Sequence, residues 1–389
     1  MKRLRIRFGQ RRGAIAPLTA LLLIPLLGMV AFAVDLGYLM LVKTELQHTA
    51  DAAALAGAQK LMTPYTQWLV SSNAKNQIRT DAIAAAKQAA KTYATYNVAG
   101  QVNITLLDSD IEVGFLDSSG NYNANPPTTT FPNTVRVVAR RDGQQNGTVT
   151  LFFARVLGVA NQDLQTSARA TIYTAKIDGF SSTAPTNGWV LPVVYDVNDW
   201  NNFIATGQNA DGGTTTDSSG KPTLQVYPSI KDTGNFGGLA LDGSHAGASE
   251  IRDWVNNGLP GGSVQTLNNM GLLPLSSHDS SSWDWVGDPG LKTSVIMAVN
   301  AKVGKEYILP LCAPYSDDSE GVGNGSHYYY QIVRFVTVTI MPSTNGGMIV
   351  QPTGYVDPTT IYDRSSVKPA GTDTSIPPKT TLTYPRLNQ

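Results

Sequence analysis

Residues 14–34 read AIAPLTALLLIPLLGMVAFAV, 21 residues without a charge, and Asp35 alone separates them from a second apolar run, Leu36 to Val42. At about 1.5 Å per residue, a helix of that length covers the roughly 30 Å hydrocarbon core of a bilayer. Pro17 and Pro25 are tolerable in a membrane helix. Just before the run, Lys2, Arg3, Arg5, Arg7, Arg11 and Arg12 place six cations within 12 residues, and the next cation is Lys43. Cations gathered on one flank orient a span with that flank in the cytoplasm. The expectation is a basic cytoplasmic tail at 1–12, a single-pass anchor over 13–42, and an external body. Ala31-Phe32-Ala33 also satisfies the small-residue rule for signal-peptide cleavage, which keeps a released, exported chain as the alternative. Against cleavage, the apolar run passes straight through that cut and exceeds the about 7 to 15 residues of a signal core.

Composition narrows the function classes. The 389 residues are 42% hydrophobic and only 15% charged, with 36 Gly and 22 Pro, which argues for many turns and against a long coiled coil or a charged disordered chain. Formal net charge is zero, but beyond the first 12 residues 23 basic groups face 29 acidic ones, a charge of about −6. Such a body lacks the clustered cations that phosphate contacts need, so no nucleic-acid partner is expected. The single cysteine, Cys312, excludes an intramolecular disulfide and any multi-cysteine metal site. It reads as buried near a strand end, with an intermolecular disulfide as the alternative.

From the span outward, Leu39 to Leu61 keeps helical spacing with Leu46 among its helix-contact residues, and Ala50, Ala54 and Ala58 form a small-residue ladder at every fourth position. Small residues in that pattern let another helix approach closely. The contact is expected from a second helix of the same chain, with a neighbouring subunit as the alternative. That second helix is the Ala-rich stretch from about Ala74 to Tyr96, whose apolar stripe reads Ile78, Ala82, Ala85, Ala89, Tyr93 and Tyr96. Asp35 is costly at membrane depth unless it is paired or near the interface, and its place at the outer end favours the interface. Arg11, Arg12, Gly13 and Asp35 are therefore taken as the membrane-edge residues.

Arg12-Gly13-Ala14, the span ending in Val34-Asp35-Leu36-Gly37, Thr44-Glu45-Leu46-Gln47, and Ala50-Asp51-Ala52-Ala53-Ala54-Leu55-Ala56 occur in one order and spacing. Together they resemble the N-terminal segment of TadE/TadG-like proteins of the Tad (Flp, type IVb) pilus-assembly family. Val135-Arg136-Val137-Val138-Ala139, Leu151 to Gly158, and Ser167-Ala168-Arg169-Ala170-Thr171 widen that likeness to about 175 residues. The resemblance implies a bacterial inner-membrane protein with its body periplasmic or extracellular. It implies a structural or assembly role and no enzymatic activity. Its partners would be the lipid bilayer and other Tad or envelope proteins, with self-association open. Prepilin-like relatives are cut after a glycine and carry glutamate at the fifth mature position. Counted from Ala14, that position is Leu18, so Gly13 reads as a membrane-edge residue.

Val102 to Leu107, Ile111 to Leu116, Thr134 to Arg141, Thr148 to Phe152 and Gln165 to Ala175 have strand character, with Phe152 to Leu157 open to a short helix. An α+β external domain over 43–175 follows, then a linker at 176–188, rich in Gly, Ser, Thr and Pro. Residues 189–362 form a mostly β domain: Trp189 to Tyr195, Thr223 to Tyr227, Ser294 to Val299, Tyr307 to Leu311, Met348 to Val350, and one long run, Tyr328 to Met341, read as the central strand of a sandwich or barrel-like sheet. Ala248 to Asn256 reads as a short helix. A Pro/Thr-rich tail, extended or disordered, fills 363–389. Asn235 to Gly243, Glu250 to Trp254 and Val333-Arg334-Phe335 resemble external regions of larger TadG-like proteins.

Sites of chemistry are sparse. Some TadG relatives carry an adhesion domain whose metal site needs D-x-S-x-S, and both candidates here fail at its last position: Asp279 to Trp283 and Asp217 to Lys221. His48, His245, His278 and His327 lack ligand spacing, and no cofactor motif is present. The loop holding Asp317, Asp318 and Glu320 offers oxygen ligands of the kind calcium takes, with a solvated loop as the alternative reading. Trp189, Trp200, Trp254, Trp283 and Trp285 are five of the six tryptophans. Rings of that kind stack on sugars or peptides when exposed and fill a core when not. Exposed, they support the runner-up function, an exported or anchored ligand-binding module or adhesin.

Overall fold

The computed structural model describes residues 15–228, 236–243, 247–271, 285–289, 291–313, 328–343, 346–373 and 382–388. Helix α1 (Ile15–Gln59) is a single 45-residue helix with Pro25 inside it. Its first half is apolar and uncovered, exposed at every residue from Pro17 to Val30. From Val42 onward the same helix enters a hydrophobic core. The chain turns at Lys60 and Leu61 into α2 (Met62–Val70), then runs into α3 (Lys75–Ala94). Helix α2 has too few residues to show a period, and its Pro64 falls in the first turn, where no amide hydrogen is needed.

The face that α3 buries differs from the expected stripe. Ile78, Ala82, Ala86, Ala90 and Ala94 point inward at strict four-residue spacing, and Ala89 joins them. Ala85, Tyr93 and Tyr96 are exposed. The reason is distance: a Cβ on Gly57 of α1 would stand 3.1 Å from the carbonyl oxygen of Ala86 and 3.0 Å from Val135. Helices that close admit alanine and exclude tyrosine rings.

Under α1 and α3 lies an antiparallel sheet. Leu164–Ala175 is central, flanked on one side by Thr134–Arg141 and, further along, Lys368–Pro369, and on the other by Leu382–Asn388. Ile111–Leu116 and Tyr122–Asn123 complete the outer edge. Thr134–Arg141 alternates buried and half-buried residues, the period-two signature of a sheet packed on one face. Leu382–Asn388 lies in the Pro-rich tail, yet it pairs along its whole length, from Leu382 opposite Ala175 to Asn388 opposite Arg169. Backbone pairing with a long central strand needs no hydrophobic periodicity, so composition did not reveal it.

The second core surrounds a nine-stranded sheet. Its order is Thr215–Thr216, Pro222–Tyr227, Met348–Pro352, Ile332–Met341, Glu306–Cys312, Val193–Asp196, Phe236–Leu239, Trp285–Pro289 and Tyr328–Tyr330, antiparallel except where Val193–Asp196 meets Glu306–Cys312. The run expected as one long strand is divided at Gln331. Ile332–Met341 is interior, whereas Tyr328–Tyr330 is at an edge of the sheet. Among the described residues, four helices accompany the strands: α4 (Val197–Thr206), α5 (Ala248–Asn257), α6 (Gly261–Met270) and α7 (Thr293–Asn300). The stretch Ser294 to Val299, read as a strand, belongs to α7. Its buried Val295, Ile296 and Val299 fall at helical spacing, and the β-branched residues obscured that period. Helix α4 is started by Asp196, whose carboxylate accepts from the amides of Asn198 and Asp199.

Within 176–188, Ile177–Phe180 pairs with Thr360–Tyr362. The two cores also touch directly: Gln67 of α2 donates to Gln351, and Thr66 to the carbonyl of Pro352.

Candidate functional site

Where α1 passes from its uncovered half to its buried half, a partial collar of side chains and backbone clasps one face of it, while Leu36, Gly37, Met40, Leu41, Lys43 and Thr44 on its other faces stay exposed. From α1 come Asp35, Tyr38, Val42 and Glu45; from the body come Gly100, Arg141 and the loop after Leu151. The Asp35 side chain is 3% exposed. Its Oδ1 accepts from the amide of Phe152 at 2.8 Å, and its Oδ2 from the amides of Phe153 at 3.0 Å and Ala154 at 2.7 Å. Ala154 opens a 3-10 turn, Ala154–Leu157, with Phe153 as its N-cap and Phe152 just before it, and amides at such a start have no partner inside the turn. A carboxylate is suited to them because it is acceptor-only and charge-assisted.

The loop rises from a short hairpin whose base pairs Val149 with Gln162 and Thr150 with Asn161. Val149 and Leu151 are buried, but Phe152, Phe153, Val156, Leu157 and Val159 are exposed, Val156 at 88%. Phe152 meets Tyr38 edge to face, ring centroids 5.2 Å apart. Between the loop and α1 lies an apolar groove of about 520 Å³, lined by Leu27, Val30, Ala31, Phe153, Val156 and Leu157 among others.

Further along the same face of α1, Gly100 takes φ +57° and its amide donates to Glu45 at 2.7 Å. A Cβ there would stand 2.7 Å from the Arg141 guanidinium and 3.0 Å from Val42. The position therefore requires glycine twice, by backbone conformation and by space. Arg141 is buried at the end of its strand and donates to the carbonyls of Ala99, Gly100, Asn146, Gly147 and Thr148. One cation ties two loops of the body against α1.

Of the residues singled out in the sequence, Asp35 sits in this collar. Leu46, Ala50, Ala54 and Ala58 are all 0% exposed and share a core with α3 and the first sheet. Arg11, Arg12 and Gly13 lie outside the described residues, as do Asp317, Asp318, Glu320 and Trp283. Among the described residues no group of three or more His, Cys, Asp or Glu is placed to hold a metal ion. Cys312 ends its strand, buried, with Sγ donating to the carbonyl of Tyr195 at 3.6 Å; burial pushes its thiol well above the ordinary range. Trp200 and Trp254 are core residues at 4% exposure, which leaves them no ring face for a ligand.

Arg141, Gly100, Glu45 and the Phe152–Ala154 amides were not singled out as site residues. Their signal was faint: an apolar Leu-Phe-Phe-Ala-Arg-Val-Leu run between two very short strands, where neither strand is long enough to bury it.

Residues 13–60 match a family model described as "Putative Flp pilus-assembly TadE/G-like", and residues 72–170 match one described as "Putative Tad-like Flp pilus-assembly". The two matches lie within the stretch that holds α1, α3, the loop and most of the first sheet. No curated protein matches the chain, and no solved structure does. The two family matches and, among the described residues, one helix long and apolar enough to cross a membrane fit a pilus-assembly component.

Proposed function

We propose that this chain is a single-pass, membrane-anchored structural component of a Tad-type pilus or secretion apparatus, acting by docking rather than catalysis. The N-terminal cations lie in the cytoplasm, α1 crosses the inner membrane, and both sheets stand outside. The observation that carries the reading is the continuity of α1. Its uncovered apolar half and its buried half are one helix, with no linker between anchor and body. A body held that way keeps a fixed height and tilt over the bilayer, which suits a docking post better than a tethered enzyme or a diffusing adhesin. Partners would be other Tad or envelope proteins, or a second copy of the chain, meeting the faces that the two sheets and their helices leave outside.

The test joins location to phenotype. The full chain carrying a C-terminal tag is expected in the membrane fraction with its N-terminus intact. Its body is expected to be digested by protease only in cells with an opened outer envelope. Deleting the chain is expected to abolish pilus assembly or Tad-dependent secretion. A soluble chain beginning at Val34, or deletion without effect on either process, would sink the proposal.

A further inference from the structure

We propose that the loop 152–159 is a second membrane-embedded element, seated among the acyl chains of the leaflet from which α1 emerges. The inference rests on the anchor reading above. Three observations point to lipid. The first is exposure: Phe152, Phe153, Val156, Leu157 and Val159 stand uncovered on one loop, and Arg155, the single charge within 152–159, donates Nε back to the Leu151 carbonyl. An apolar patch of this kind marks a contact surface.

The second is depth. The groove beside the loop is lined on α1 from Asp35 back to Leu27, a stretch of about 12 Å along a helix axis. If α1 crosses a hydrocarbon core of about 30 Å with Asp35 near its outer limit, Val156 and Leu157 lie inside that core. The loop's apolar face is then continuous with the uncovered face of α1, and whatever solvent covers one covers the other.

The third is the backbone. Irregular backbone survives in hydrocarbon only where its polar groups are satisfied within the protein. Here the amides of Phe152, Phe153 and Ala154 go to Asp35, while those of Leu151, Val156, Gly158 and Val159 go to carbonyls of the loop itself. Asp35 thus has a reason to sit beside the span: its carboxylate supplies what water would otherwise give to the turn.

The test uses nitroxide labels on the full chain, reconstituted in vesicles of phosphatidylcholine and phosphatidylglycerol. Val156→Cys is the reporter, Leu22→Cys the span control and Gln88→Cys the water control; Cys312 is buried and out of the label's reach. Collision with molecular oxygen reports lipid, and collision with a water-soluble nickel chelate reports water. The expected result is a Val156 label that behaves like the Leu22 label, rich in oxygen collisions and shielded from nickel. In an Asp35→Asn chain, whose body still unfolds cooperatively, that shielding is expected to fall toward the Gln88 value. A Val156 label as open to nickel as Gln88, with Leu22 still in lipid, overturns the loop inference and leaves the anchor standing. Nickel access at both Val156 and Leu22 overturns anchor and loop together. Shielding of Val156 from both reagents means that protein covers the loop, which also overturns the lipid assignment.

Discussion

The two halves of α1 are equally helical and both apolar, yet they meet different surroundings. Leu21, Ile24, Met29 and Phe32 are all more than 60% exposed, whereas Leu46, Ala50, Ala54 and Ala58 are at 0%. Side-chain size separates them. The first half is bulky on every side, a cylinder suited to a fluid solvent of its own polarity. The second half carries its apolar residues on the faces turned to protein and polar ones such as Lys43, Thr44 and His48 elsewhere. Its alanines and Gly57 let α3 and the sheet come to within contact of the helix. Hydrophobicity says that a surface will leave water; size and distribution say whether lipid or protein replaces it.

The comparison breaks first, and most visibly, if the uncovered half is made polar. Replacing both Leu23 and Ile24 by arginine costs roughly 2.5–3.5 kcal/mol for each charge at the centre of a span on insertion scales. The doubly substituted chain is expected to leave the carbonate-washed membrane fraction, while the unfolding midpoint of its body stays where it was. A chain that remains in the washed membrane would mean that the first half of α1 is not the anchor.

In the buried half the sensitivity reverses, and stability is the quantity to read. Leu46→Ala removes a fully buried side chain and is expected to cost about 2–5 kcal/mol, seen as a lower denaturant midpoint for the body. The same change at Leu26 is expected to leave that midpoint alone. A smaller loss follows from adding volume: Ala54→Leu forces side chains apart where α1 meets its neighbours, at a cost of about 1–3 kcal/mol, while Ala20→Leu is expected to be neutral. If Ala54→Leu were tolerated as well as Ala20→Leu, close packing would not be what distinguishes the halves.

Much of this division was legible in residues 12–61, where a long neutral run, an i, i+4 alanine ladder and flanking charges each obey a simple rule. The pairing partners were not. That Asp35 would serve the amides of Phe152 to Ala154 depends on bringing together residues more than a hundred positions apart, and no local pattern encodes such a distance. Arg141 was hidden for the same reason: its five carbonyl partners come from two separate loops. In the second core, α4 and α6 were missed because weak helix formers interrupt them, Asn198, Asn201 and Asn202 in α4 and Gly261, Gly262, Asn268 and Asn269 in α6, and α7 was taken for a strand on its β-branched content. Tertiary burial overrode local preference in each case. The return of Leu382–Asn388 to the first sheet was invisible because a strand paired through its backbone does not need an alternating pattern.

The smallest effect concerns charge at the far end of α3, and it sharpens the claim that packing holds this helix to α1. Lys91 of α3 pairs with Asp108 at 2.9 Å on the surface. The hydrogen bond and charge of Lys91 hold the Asp108 carboxyl below its usual range. A carboxylate depressed by folding contributes stability that is fully present above its unfolded pKa, near about 3.9, and is lost as pH falls through the lower folded value. Exposed pairs contribute little. Asp108→Asn is therefore expected to shift the neutral-pH unfolding midpoint far less than Leu46→Ala does. Whatever difference remains between mutant and wild type should close as the solution is acidified below the ordinary carboxylate range. The informative comparison is the slope in that acid window. A wild-type chain that lost most of its stability there, with Asp108→Asn already showing that loss at neutral pH, would make charge rather than the alanine face the main tie between α3 and the rest of the body.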